Sequence, residues 1–427
     1  MVENSERRDD AKFCCDQKSR EPLWMAGTFF FLALSVALAA ALGSKAVCAK
    51  QASVDVCTSF PCPDSCDKTL KPCNGLIFEE LWNQLNLDTW EHEITAGGGG
   101  DWEFQHYTNN RSNSYVRDGT LFIRPTLTEE TYNEDFVRTG TLNIWGSTPA
   151  DTCTDNAFYG CERSGKVGSF VVNPVQSARL RTVHSFAFTY GCVEVTAKMP
   201  TGDWLWPAIW LMPKRNAYGN WPSSGLINIV ESRGNVYLKD AQGVSHGVDE
   251  MGSILHWGPY PDLNSWWRTY VTKHATQGTF GTGFHKYGME WTPDYIRFLL
   301  DGQEILKVDP GAGGFWEFGK FPAYLDNPWK GRGKMAPFDL EFYLILNLAV
   351  GGTVNFFDEW TNRPHAKPWN NTSPTAMLDF YNAKYVALAG ITRVSRGSQW
   401  LPTWKREVSN GEEAALQVKD IRVWAYK

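Results

Sequence analysis

FAFTYGCVEVTAKM, from Phe186 to Met199, places Val193, Val195 and Ala197 at alternate positions, with Cys192, Glu194 and Thr196 between them. A period of two marks a strand with one buried face. Similar short runs recur between clusters of Gly, Pro, Asn and Asp: SYVRDGTLFIRPTL (Ser114 to Leu127), YIRFLLDGQEILKV (Tyr295 to Val308), EFYLILNLAV (Glu341 to Val350) and QVKDIRVWAYK (Gln417 to Lys427). In the second of these, Asp301-Gly302 separates two strand-like halves, a two-residue hairpin signal. Helical periodicity is scarce and no internal repeat is present. Many short strands with turn punctuation imply an all-β, two-sheet sandwich, with the final run closing a sheet at the C-terminus.

The 427 residues include 20 Trp, and 14% are aromatic against 21% charged, ample material for a core. Forty-one basic and 47 acidic residues give a net charge of −6 without any block of like charge. Nucleic acid is excluded as a partner, because its binding depends on clustered Lys and Arg. A neutral ligand fits better. Trp rings stack on sugars, but Trp is also a core and strand residue, so more than half of the 20 are expected in the core.

Pro22 to Ser44 contains no charged residue, and Leu23 to Leu42 has the length of a bilayer core. The apolar run and its leader are long for a cleaved signal peptide, so an uncleaved anchor is favoured; cleavage after Ala49, giving a secreted protein, is the alternative. Lys18 and Arg20 balance Lys45 and Lys50, so flanking charge leaves the orientation open. The sequons at Asn110, Asn370 and Asn371 all lie downstream, as do eight of the ten Cys. Cys57, Cys62, Cys66 and Cys73 crowd together and Cys153 and Cys161 flank a short loop, a pattern of disulfide staples. No CxxC pair and no nearby His favour zinc instead. The C-terminal part is therefore expected outside the cell, as in a single-pass type II membrane protein. Cys14 and Cys15, on the other side, are candidates for palmitoylation. The chain divides into a leader (1–21), the transmembrane segment (22–44), a Cys-containing stalk (45–75) and a sandwich domain (76–427).

GLINIVESRGN, from Gly225 to Asn235, holds the chemistry. Strict alternation puts Leu226 and Asn228 on one face and Glu231 on the other. One extra residue between Asn228 and Glu231, a β-bulge, returns Glu231 to the first face. This strand resembles the E-x-D-x-x-E strand of glycoside hydrolase family 16. GCVEVTAKMPTGDWLWPAIWLMP (Gly191 to Pro213), LHWGPY (Leu255 to Tyr260), FHKYGMEWTPDYIRFLLDG (Phe284 to Gly302) and FYLILNLAVGG (Phe342 to Gly352) are similar to other strands of that family, in its order. The nearest resemblance is to the branch of animal β-1,3-glucan-binding proteins, also called Gram-negative-bacteria-binding proteins. The resemblance implies a jelly roll with an open carbohydrate cleft. The stalk is too short for the extra N-terminal glucan-binding domain of insect members. Some members hold a structural Ca²⁺ on the convex face, with no ligands identifiable in this sequence; no other cofactor is implied.

In the family the first Glu is the nucleophile, the Asp assists and the last Glu is the acid/base. Here those positions are Leu226, Asn228 and Glu231. A retaining glycosidase needs two carboxyls roughly 5–5.5 Å apart, and an inverting one needs roughly 6.5–9.5 Å. Leucine supplies neither. Loss of the nucleophile is expected to cost a factor on the order of 10⁶ in rate, roughly 8 kcal/mol. Without charged neighbours Glu231 is expected to be ionised at neutral pH unless burial compensates. It then accepts hydrogen bonds from sugar hydroxyls beside Asn228.

Candidate sugar contacts are Trp206 and Trp210, on one face of WLWPAIW, of which one is expected to line the cleft with the other left as cleft or core, together with Trp221 in a Gly-Asn-Trp-Pro loop, His256 and Trp257 at a strand end, and Trp360. Arg233 is expected either to orient Glu231 or a sugar hydroxyl or to make a plain surface salt bridge, and His285 is expected to be structural. The expected function is non-catalytic β-1,3-glucan binding, with a role in innate recognition of microbial surfaces. The alternatives are an endo-β-1,3-glucanase using another carboxylate with Glu231, and a sandwich kept for protein contact.

Overall fold

The computed structural model describes residues 73–146, 152–384 and 399–427. The leader, the apolar segment and Cys48, Cys57, Cys62 and Cys66 lie outside the described residues. Among the described residues no helix is long and apolar enough to cross a membrane.

Two antiparallel sheets dominate. Their strands, in chain order, are β1 (Cys73–Glu80), β2 (Glu91–His92), β3 (Ser114–Arg117), β4 (Thr120–Ile123), β5 (Arg179–Arg181), β6 (Gly191–Lys198), β7 (Leu205–Pro213), β8 (Leu226–Ser232), β9 (Glu250–His256), β10 (Tyr270–His274), β11 (His285–Trp291), β12 (Ile296–Leu300), β13 (Gln303–Val308), β14 (Phe342–Val350) and β15 (Leu416–Tyr426). The first sheet runs β13-β12-β11-β6-β15-β4-β3, with β1 also paired to β15; the second runs β10-β9-β8-β7-β14-β5-β2. The expected all-β, two-sheet sandwich is the architecture found.

The alternation read in the opening run is realised in β6, where Val193, Val195 and Ala197 are buried. They join Tyr287, Met289, Ile421 and Val423 from the same sheet and Leu180, Ile209, Leu211, Ile227, Leu344 and Leu346 from the other in one core. Asp301 and Gly302 both stand at positive φ (48° and 82°), the two-residue turn that joins β12 to β13. The last strand does not close an edge: β15 lies inside its sheet, between β6 and the pair β1/β4.

The first strand begins at Cys73, inside the segment read as stalk, because β1 pairs with β15. Cys73 is disulfide-bonded to Cys192 of β6, and Cys153 to Cys161 as expected. Among the described residues nine Trp are buried, and Trp206, Trp316 and Trp360 pack against the core partly buried. No group of three or more His, Cys, Asp and Glu among the described residues is placed to hold a metal ion.

Candidate functional site

The strand β8 carries the expected bulge. Ile209 of β7 pairs with Val230 and Trp210 with Asn228, leaving Ile229 without a partner on that side. The register against β9 slips over the same residues, from Asn228↔Ile254 to Glu231↔Gly252. The extra residue turns Glu231 back to the face of Asn228, and the Asn228 amide Nδ2 donates to Glu231 Oε2 (3.3 Å). Ile227, Ile229 and Val230 fill the core behind, while Leu226 and Glu231 are partly exposed. Leu226 is thus on the polar face, paired with His256.

Across the strands the register aligns Gly252, Glu231, Ala208, Asn347 and Arg179. The next row aligns Ile254, Asn228, Trp210, Ile345 and Arg181. Trp206 and Trp210 share this face and both are partly exposed, so neither is core. The Trp210 indole Nε1 donates to Asn347 Oδ1 (2.7 Å), and the Arg179 guanidinium lies 4.6 Å from its ring centroid. Asn347 Nδ2 donates to the Tyr107 hydroxyl (3.0 Å), which donates to Glu103 Oε2 (3.3 Å). Arg179 Nε is 3.4 Å from Glu93 Oε2. Trp210 is therefore held at fixed tilt by a buried polar chain.

Burial raises the Glu231 pKa above the ordinary carboxylate value; Arg233 and a hydrogen bond from the Trp206 side chain pull it down, and Glu250 adds to the rise. Burial thus opposes the expected ionisation. Asp101, at the end of a four-glycine run, is pushed up to about 7 by burial and by the charges of Glu103 and Glu231, against Arg179. A second carboxyl therefore lies within the field of Glu231, from a segment far away in sequence.

Arg233 does not point a free charge at ligand: its Nε donates to the Asn355 carbonyl (2.9 Å), and Nη1 is 3.7 Å from Glu250 Oε1. Its guanidinium lies over Trp360 (4.9 Å), whose ring also stacks on His246 (4.2 Å). Trp360 is thus a packed ring rather than an open platform. Trp221 is exposed in its loop, 5.7 Å from the His256 ring. The ring nitrogen Nδ1 of His256 meets Asn264 Nδ2 at 2.9 Å, and burial lowers its pKa to about 4, which leaves it neutral.

Trp257 corrects the sequence expectation. It has no exposed surface, donates from Nε1 to Thr269 Oγ1 (2.9 Å) and packs against Phe315 and Phe318, so it is a core residue and not a sugar contact. The Phe315–Phe318 segment folds over it from more than one strand away. His285 is structural, its Nδ1 2.7 Å from Asp301 Oδ2. Among the sequons, Asn110 and Asn370 are exposed. Asn371 departs from expectation, because its Nδ2, the atom a glycan would take, donates to the Phe356 carbonyl (2.8 Å).

Sequence reasoning missed Asp101, Arg179, Asn347 and Tyr270. A Cβ on Gly252 would lie 3.2 Å from Tyr270 Cε2 and 3.8 Å from Glu231 Cγ, so the Tyr270 ring leans over that glycine beside the acid. Asn347 was visible as the lone polar residue in an apolar run.

Residues 159–323 match the family model described as Glycosyl hydrolases family 16. The Beta-1,3-glucan-binding protein of Penaeus monodon is 49% identical over 86% of this chain and 91% of its own length. The Gram-negative bacteria-binding protein 1 of Drosophila melanogaster is 32% identical over 83% of this chain and 65% of its own length. Glucan endo-1,3-beta-glucosidase A1 of Niallia circulans is 32% identical over 65% of this chain and 34% of its own length. With the family model matched over residues 159–323 and a relative this similar along nearly its whole length, the chain belongs to glycoside hydrolase family 16, in the branch of animal β-1,3-glucan-binding proteins.

Proposed function

We propose that this protein binds β-1,3-glucan on the outer face of its second sheet without cutting it, and serves in innate recognition of microbial surfaces. One observation carries the reading: the bulge returns Glu231 to the face where alternation already sets Leu226 and Asn228, so an aliphatic group and an amide stand there where hydrolysis would need an attacking carboxylate. Trp206, Trp210, Trp221, Tyr270, Asn228 and Glu231 offer rings and hydrogen-bonding groups for a neutral sugar. The names of the relatives from Penaeus and Drosophila support the ligand and the role. The domain works outside the cell, held by the apolar segment 22–44 or released from it; its two disulfides and the exposed Asn110 and Asn370 support that side of the membrane. Isothermal titration of laminarin beside a reducing-sugar assay on the same sample tests both halves. Heat without new reducing ends is expected; no heat at millimolar oligosaccharide overturns the binding.

A second reading is favoured by Asp101, whose pKa burial and the charges of Glu103 and Glu231 raise, and by the hydrolase relative from Niallia. An inverting endo-β-1,3-glucanase would use one as acid and the other as base, provided they stand roughly 6.5–9.5 Å apart. Steady release of reducing ends, abolished by both Glu231→Gln and Asp101→Asn, would establish that enzyme in place of the binding protein.

A further inference from the structure

The loop closed by the Cys153–Cys161 disulfide carries Phe158 and Tyr159 near its tip, with 47% and 75% of their surfaces exposed. Both stand at positive φ, 53° and 61°, as does Trp102 at 54°. L side chains seldom adopt that region, and residues held there cluster at functional sites. Phe158 meets Trp102 edge to face with ring centroids 5.7 Å apart, and Trp102 is itself 47% exposed.

The loop is clamped in place. A Cβ on Gly97 would fall 2.6 Å from the Ala157 carbonyl oxygen, and one on Gly160 would fall 2.1 Å from Thr95 Oγ1. Glycine at both positions lets the two segments touch. Thr154 N donates to the Ile94 carbonyl (2.9 Å), and Thr95 Oγ1 to the Asp155 carbonyl (2.7 Å). Folding alone gives no reason to hold three large rings in water on strained backbone, because exposed rings forgo the gain of burial.

The position of this cluster supplies the reason. Trp102 precedes Glu103, and from Glu103 the hydrogen bonds run through the Tyr107 hydroxyl to Asn347, the neighbour of Ala208 in the Glu231 row. The backbone that carries Trp102 is thus continuous with a residue whose side chain begins a polar chain to the sugar-binding face. We propose that Trp102, Phe158 and Tyr159 form an accessory stacking site that takes a β-1,3-glucan chain beyond the Glu231 face, an inference that rests on the glucan-binding reading above. Flat rings present large contact area at small entropic cost, and a disulfide-closed loop is pre-organised. A long chain that reaches both places gains over a short one that reaches only the first.

The test titrates the full chain with laminaritriose and with laminarin. In Phe158→Ala/Tyr159→Ala, laminarin affinity should fall by about tenfold or more while laminaritriose affinity stays within about twofold. Cys153→Ser/Cys161→Ser, which loosens the loop and keeps its rings, should weaken laminarin in the same selective way. For the double alanine variant, a melting temperature like the wild type confirms that the rings, not the fold, were removed. Equal loss for both probes, or no loss for laminarin, overturns the accessory site. Wild-type protein silent towards both probes overturns the glucan-binding reading itself.

Discussion

At the scale of single residues, Leu226, Asn228 and Glu231 divide holding from cutting. The double replacement Leu226→Glu/Asn228→Asp restores both missing carboxyls to a face that already has the right bulge, so trace release of reducing ends from laminarin is expected. Strong activity in the unmodified protein would contradict the assignment. Two tryptophans should respond in opposite ways. Trp257→Ala empties a core site and should cost about 3–5 kcal/mol of stability, seen as a lower melting temperature. Trp210→Ala removes a partly exposed ring and should weaken laminarin binding by about tenfold, with a loss of stability of about 1–3 kcal/mol from the Asn347 oxygen left without its donor. Trp206 and Trp210 were legible because alternation along one strand is local. Trp257 was not, because what buries it comes from Phe315 and Phe318, and no local pattern announces a segment that folds back from far along the chain.

At the scale of elements, the β8 bulge and the β9–β10 pair shape the face. The bulge was readable from sequence, since Asn228 and Glu231 are both polar and both needed on one side of a strand whose residues around them, Ile227, Ile229 and Val230, are apolar. The row from Gly252 to Arg179 was not readable, because it depends on the mutual register of five strands, two of them far from the others in the chain. Gly252 is extended backbone with no positive φ, so alanine there costs little in conformation. Its methyl would nevertheless press on Tyr270 Cε2, 3.2 Å away, beside Glu231. Gly252→Ala should therefore lower laminarin affinity by roughly threefold to tenfold, on the order of 1 kcal/mol, with the melting temperature nearly kept. An unchanged titration would remove Tyr270 from the site.

At the scale of the whole molecule, two buried carboxyls tie stability to pH. Asp101 and Asp203 are both raised from 3.8 to about 7, Asp101 by burial and acidic neighbours, Asp203 by burial against a hydrogen bond from Asn362. Between those values the folded chain holds protons that the unfolded chain has released, so their contribution to stability declines as pH climbs from about 4 to about 7 and levels off near 8. Asp101→Asn removes one such group. Its urea midpoint should gain on the wild type steadily over that window, and a constant gap would refute the coupling. The Cys73–Cys192 bond adds a mechanical consequence. Cys73 enters the sheet beside Tyr426, so a pull applied at the two ends of the domain would otherwise peel β1 from β15 and pay out chain. With the bond closed, the loop spanning 119 positions of sequence cannot lengthen under load, and force passes instead into β6 at the centre of the sheet. The second sheet, with the Glu231 face, would stay behind that covalent stop.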